Sequence, residues 1–463
     1  MTKFLLKIVK NHNIKKTHSK IIFITNNKIM SKSFHFSSLF LIFLMFHSIH
    51  TLPSSYLSKF RSKRSLQTIS RPSSHKVSLY FNADYEILKS SQICQIPGGL
   101  IDTLYYGYLV YSAGTCTFSK PDSESYLGPA GGVCGNVAQS PTETYKGDMY
   151  QLLQFKQKFP NVKVFLTLGG PYNPNAVNLH NSMISNMNSV VNSCVGLFQK
   201  YNKIFDGFDL DLEFPCVAGD TKCGPNGVYY SPSPNDKTAF TSLISALKTQ
   251  LSTAPSSLML SSDTNKLNAI NFTVIDSYID HYNIKDYDIT SGSFGDSITG
   301  FHTFIGPILS DPLTSRSTTG ANQATRFLLT KGINANKINI GSPFYGRGFQ
   351  VQPGTIDSMN GYMNAKGGLN NAPYEQDVFD YRNIKGTYLS AMPQNSFYNV
   401  AGQASYYYDK SSGTFISYES PTSAVEKVKF VKSNGLQGVF AWEFAGDTSD
   451  SELLMSLNQD PAI

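Results

Sequence analysis

The segment Phe205-Asp-Gly-Phe-Asp-Leu-Asp-Leu-Glu-Phe-Pro215 constrains this chain more than any other. Asp209, Asp211 and Glu213 alternate there with Phe208, Leu210, Leu212 and Phe214. On a β-strand, period two sets the carboxylates on one face and the apolar side chains on the other. In a barrel the apolar face packs on helices and the carboxylates point inward. Carboxylates this close cannot all ionise cheaply, so repulsion and burial push at least one pKa up. A proton shared in the row gives a carboxylic acid near neutral pH, which general acid catalysis needs. Glu213 is the last and longest of the three, nearest the strand's C-terminal end, where barrel active sites sit. A solvated acidic strand would not alternate so cleanly with Phe and Leu. A calcium loop would place Gly and polar residues between its acids, whereas a magnesium site on a barrel rim is chemically open.

The surroundings fit a barrel. Strand candidates lie at 77–81, 103–110, 163–168, 205–213, 258–262, 281–287, 338–345 and 438–443. Helical patterns fall at 145–158, 185–202, 235–252, 320–332 and 421–434. Eight strands alternating with helices predict an α/β fold, a (β/α)8 barrel rather than a doubly wound sheet. A barrel spends about 31 residues per unit, so residues 346–437 exceed one unit by roughly 60. That excess is rich in Tyr and Gly, with Tyr406-Tyr-Tyr408 inside it. It predicts a small α+β insertion between the seventh and eighth strands, about 348–432, forming a wall of the cleft.

The formal charge of +7 hides an asymmetry. Residues 1–64 carry 12 of the 39 Lys and Arg and no acid, leaving 27 bases against 32 acids in the rest. A basic nucleic-acid-binding fold is therefore not expected. Residues 39–46 are eight apolar residues in a row, too short to span a bilayer and suited to a signal-peptide core, with Met30-Ser-Lys-Ser before it. We read 1–64 as a leader: a signal peptide around 30–53, then a possible propeptide ending at Arg64 in Arg61-Ser-Lys-Arg64. The catalytic barrel is expected over 65–463, secreted, monomeric and without a stable membrane partner. Six cysteines in a secreted chain permit three disulfides, and Cys216 and Cys223 are the favoured pair. No spacing resembles a zinc site. Asn271-Phe-Thr273 is a glycosylation sequon.

Asp206-Gly-x-Asp209-x-Asp211-x-Glu213 resembles the signature of glycoside hydrolase family 18, the chitinases and their relatives. Leu166-Thr-Leu-Gly-Gly170, Ile279 to Asp288, Lys337 to Arg347 and Gly438-Val-Phe-Ala-Trp-Glu443 resemble its third, sixth, seventh and last strands. The resemblance spans about 76–458, and Phe379-Asp-Tyr-Arg382 with the long insertion looks most like the chitinase A branch.

The resemblance implies endo-hydrolysis of β-1,4-linked N-acetylglucosamine by substrate-assisted retaining catalysis, with no cofactor or metal. Glu213 would protonate the glycosidic oxygen, and the substrate's own acetamido carbonyl would attack the anomeric carbon. Asp211 would hold the acetamido N–H, Asp209 would share a proton with Asp211, and Tyr287 would bond the acetamido oxygen. Asp288 and Arg382 would bind hydroxyls, Trp442 would form the floor, and Tyr345 has a weaker claim. His302 aligns near a family His and is expected to be structural. Alternatives are an endo-β-N-acetylglucosaminidase acting on N-glycans, or a chitin-binding lectin that lost turnover. Four positions depart from the family pattern. Pro171 replaces a Trp, Leu212 an aromatic and Lys285 a Met, and a Trp is missing from Ile289 to Phe294. If Lys285 enters the barrel, a cation sits near the Asp pair and favours ionised Asp211.

Overall fold

The computed structural model describes residues 74–463 apart from 87, 126–143, 171–174, 214, 216–222, 224–229, 307, 309 and 310. It also describes the backbone of three earlier strands, Lys7–Val9, Ser19–Thr25 and Lys28–Phe34. The chain divides into two compact units, Met1–Thr68 and Ile69–Ile463. In the first, the three strands pair antiparallel. The apolar run 39–46 and the Arg61–Arg64 cluster lie outside the described residues.

The second unit is built on eight parallel strands: β1 Lys76–Asn82, β2 Thr103–Ser112, β3 Lys163–Gly169, β4 Gly207–Asp211, β5 Ser256–Ser261, β6 His281–Lys285, β7 Ile338–Pro343 and β8 Gly438–Trp442. Each pairs with the next, and β8 pairs with β1, which closes the (β/α)8 barrel. Alternation divides the strands. Leu79, Leu166, Leu210, Leu258, Ile284, Ile340 and Val439 join the outer core under the helices. Tyr80, Tyr105, Phe165, Met259 and Phe440 form a separate inner cluster. Helices Gly147–Lys158, Met187–Lys200, Asp236–Gln250, Ala321–Thr330 and Pro421–Ser433 cover the outer face. In Asp236–Gln250 the residues Phe240, Leu243, Ile244 and Leu247 are buried at helical spacing. Each such side chain contributes roughly 1.5–3 kcal/mol. Pro421–Ser433 begins on a Ser420/Ser423 capping box with Pro at its first turn, which sets its start.

Between β7 and β8 the chain builds a second sheet of six antiparallel strands, the first Tyr345–Val351 and the last Thr414–Tyr418. The insertion sheet starts before the expected 348 and ends well before 432: helix Pro421–Ser433 puts Ala424, Val428 and Val431 into the barrel's outer core. Beside β2, strand Thr115–Phe118 forms a hairpin, and a Cys116–Cys194 disulfide ties it to helix Met187–Lys200. Cys94 and Cys223 are also disulfide-bonded. The expected partner of Cys223, Cys216, lies outside the described residues, as does Pro171. Asn271 is half-buried and precedes the short helix Phe272–Ile275. Among the described residues no helix is long and apolar enough to cross a membrane.

Candidate active site

The C-terminal ends of the strands and the first insertion strand enclose a cavity of about 380 Å³. Asp211, Glu213, Lys285, Tyr287, Asp288, Tyr345 and Trp442 line it. Asp209 sits one layer deeper and is fully buried.

β4 ends at Asp211, two residues before the expected end, and Glu213 adopts a left-handed backbone with φ 51°. Strand alternation therefore accounts for Asp209 and Asp211, and a turn delivers Glu213. Leu212 is half-buried against the outer core. Asp209 accepts from the Tyr80 hydroxyl at 2.9 Å and from Ser257 Oγ at 2.5 Å. Tyr80 in turn accepts from Asn283 Nδ2 at 3.1 Å, so the barrel interior holds a polar network. Burial pushes the Asp209 carboxyl up to about 6, against the pull of those hydrogen bonds. Burial also raises Asp211, to about 7, with Lys285 opposing and Glu213 adding to the rise. Both values put protons within reach of the row near neutrality.

Lys285 does enter the barrel. Its Nζ lies 2.9 Å from Asp211 Oδ1 and 2.5 Å from Glu213 Oε1. Burial disfavours its charge, yet the two carboxylates hold its pKa above the ordinary lysine value. Tyr287 is buried, and its hydroxyl has no hydrogen-bond partner among the described residues. A buried phenol without a partner costs free energy unless something supplies one. Trp442 closes β8 beside Tyr80 and Tyr108, at ring separations of 5.4 Å and 6.1 Å.

Asp288 also has a left-handed backbone, at φ 56°. Burial would raise its carboxyl, but Arg347 holds it below the usual range, with Arg347 Nε donating at 2.7 Å. Tyr345 hydrogen-bonds Asp288 as well. His302 is wholly buried against the Tyr345 ring, and burial drives its pKa down to about 3.

Arg382 is not in the cavity wall. It donates to the Lys89 carbonyl and lies 3.3 Å from Asp380. Arg347 is the arginine in the wall, and sequence reading missed it. Tyr345 and Arg347 share a face only because the insertion sheet starts a new strand at Tyr345, which barrel spacing does not announce. Phe294 was missed too. It is 50% exposed on the cavity rim, and the Arg347 guanidinium packs 4.9 Å from its ring centroid. Lys89, bonded to Asp380 and Glu443, completes the wall on the β1 side. Among the described residues no group of three or more His, Cys, Asp or Glu is placed to hold a metal ion.

A row of carboxylates at the C-terminal mouth of a parallel barrel, beside aromatic side chains, suits the hydrolysis of glycosidic bonds. The sequence pattern of Glycosyl hydrolases family 18 matches residues 76–447, and the chain belongs to that family. It is 30% identical over 318 residues to chitinase A1 of Niallia circulans, covering 65% of this chain and 43% of that protein. It is 28% identical to the chitinase of Autographa californica nuclear polyhedrosis virus, covering 68% of this chain and 56% of that one. The chain thus spans about half the length of the curated relatives it matches. Chitinase ChiA74 from Bacillus thuringiensis shares the fold, with a TM-score of 0.69 at 21% identity over 83% of this chain and 69% of that one. So does a mutant class V chitinase from Nicotiana tobaccum in complex with NAG4, with a TM-score of 0.63 at 20% identity over 83% and 98%.

Proposed function

We propose that this glycoside hydrolase cuts β-1,4-linked N-acetylglucosamine chains internally, by substrate-assisted retaining catalysis. The observation that carries the reading is the grouping around one cavity of Glu213, Asp211 and the Tyr287 hydroxyl, which has no partner among the described residues. Chitin or a chito-oligosaccharide is the substrate we infer, in keeping with the chitinases among its relatives.

Glu213, 24% exposed at the mouth, donates its proton to the glycosidic oxygen as the bond to the anomeric carbon breaks. The acetamido carbonyl oxygen attacks that carbon and forms an oxazolinium, with Asp211 accepting the acetamido N–H and Tyr287 donating to its oxygen. Water, deprotonated by Glu213, then opens the oxazolinium with net retention. Family 18 departs in this way from the two-carboxylate scheme, so the spacing of the carboxylates does not dictate the outcome. Asp209 holds or releases a proton beneath Asp211 as the charge above it changes. The indole of Trp442 presents an apolar face to the sugar ring.

Secretion is part of the same proposal, supported by the apolar run at 39–46 and by a disulfide at Cys116–Cys194, which an oxidising compartment preserves. A sugar-binding protein without turnover is the second reading, favoured by the ammonium of Lys285 on Glu213. A paired assay separates them: a fluorogenic chitotrioside and the matching cellotrioside, which has a hydroxyl in place of each acetamide. Release from the first and not the second is expected. Equal release would remove the acetamide from the mechanism, and binding of the chitotrioside without release would favour the second reading.

A further inference from the structure

The hydrolase reading leaves one group in the row without a task. Lys285 ends β6 with its side chain 12% exposed, bonded to Asp211 at 2.9 Å and to Glu213 at 2.5 Å. A general acid must carry a proton when it meets the glycosidic oxygen. An ammonium at hydrogen-bond distance favours the carboxylate that lacks that proton. The contact seen here therefore opposes the step that Glu213 performs. Leu212 and Glu213 lie beyond the β4 ladder, so no strand pairing holds the Glu213 backbone. Asp211, by contrast, is fixed in the strand and 1% exposed.

We propose that Lys285 is a positioning residue that clamps Glu213 to Asp211, and that the Lys285–Glu213 contact opens before each turnover. The proposal rests on the hydrolase reading. On opening, Glu213 takes a proton from solvent while Lys285 remains an ammonium paired with Asp211. That proton then passes to the glycosidic oxygen, which keeps the electron pair of the broken bond. Closing of the clamp re-forms the Lys285–Glu213 contact.

The other groups that face the row do not supply this switch. Tyr80 on β1, Tyr108 on β2, Tyr230 and Tyr287 all have raised pKa values from burial and stay neutral. Asp288 is held ionised by Arg347. Asp263 and Lys266 line the cavity after β5. Asp209 and Asp211 titrate near neutrality, and neither contacts solvent freely.

The test is the pH profile of kcat/KM on a chitotrioside, for the full chain and its Lys285→Met, Lys285→Gln and Lys285→Arg variants. Removing the charge should move the alkaline limb up by about one pH unit or more. Lys285→Arg should keep the wild-type limb. Two neutral variants guard against one that fails to fold. Superimposed profiles would overturn the clamp and leave the hydrolase reading standing. A second readout needs no turnover: the ¹³C-carboxyl resonance of Glu213, assigned through Glu213→Gln, titrated in wild type and Lys285→Met. A higher midpoint in the variant supports the clamp, and equal midpoints overturn it. Absence of turnover in every protein at every pH would sink the substrate reading, and the carboxyl titration would still decide the clamp.

Discussion

Two sites in this barrel use the same three charges to different ends. At the mouth, Lys285 lies between Asp211 and Glu213. Under the insertion, Lys427 lies between Asp286 at 3.1 Å and Glu419 at 2.8 Å. The second group is sealed, with all three side chains at most 1% exposed. Lys427 also donates to Thr303 Oγ1 and the Gly341 carbonyl, so its ammonium joins the helix after the insertion to β7 and the end of β6. At the mouth, one carboxylate is 24% exposed, sits on a left-handed backbone and faces a cavity. A buried ion triad is thus no sign of catalysis in itself. Access to the cavity and the left-handed backbone at Glu213 are what set the first one apart.

The comparison breaks most visibly if the sealed triad proves dispensable. Lys427→Met leaves two buried carboxylates without their cation and should cost about 3–5 kcal/mol in denaturant unfolding. Activity per folded molecule should stay close to wild type. A fully stable variant would mean that the sealed group contributes no more than an exposed pair. Asp209→Asn should show a smaller effect that depends on pH. The folded carboxyl ionises near 6, above its unfolded value. Its contribution to stability is therefore whole below about pH 4 and falls as pH rises to about 6. Urea melts at pH 4 and pH 7 should show the variant gaining on wild type by about 2 kcal/mol between them. No pH-dependent gain would mean that Asp209 is ionised at little cost. Trp442→Ala sharpens the contrast from the open side. It should lower kcat/KM on a chitotrioside about tenfold, near 1.4 kcal/mol, largely through stacking on the sugar. Its unfolding midpoint should move less than that of Lys427→Met. An unchanged kcat/KM would make the indole a packing residue only.

Much of this was legible in the chain. Parallel strands buried on both faces read as short apolar and β-branched runs, so the barrel strands fall within two residues of their expected bounds at every end. Asp209 and Asp211 follow from period two, whereas Lys285 is pointed to only by the family Met at its position. Three features were not legible. The left-handed turn at Glu213 involves no Gly to announce it. The strand expected through Tyr345 stops at Pro343, and the chain re-enters as the first strand of the insertion. Which of two arginines faces the cavity depends on that second sheet. Arg347 comes from its first strand, whereas Arg382 follows its Val378–Asp380 strand and turns to the Lys89 carbonyl. Spacing within the barrel says nothing about either.

The central claim is that Glu213, at the open triad, is the acid for an N-acetylglucosamine linkage. Turnover of a fluorogenic chitotrioside by wild type and Glu213→Gln tests it most directly, with binding followed in parallel. The account predicts release by wild type and a loss of about 10²–10⁴-fold in the variant, with the oligosaccharide still bound. Equal turnover by both proteins would contradict it.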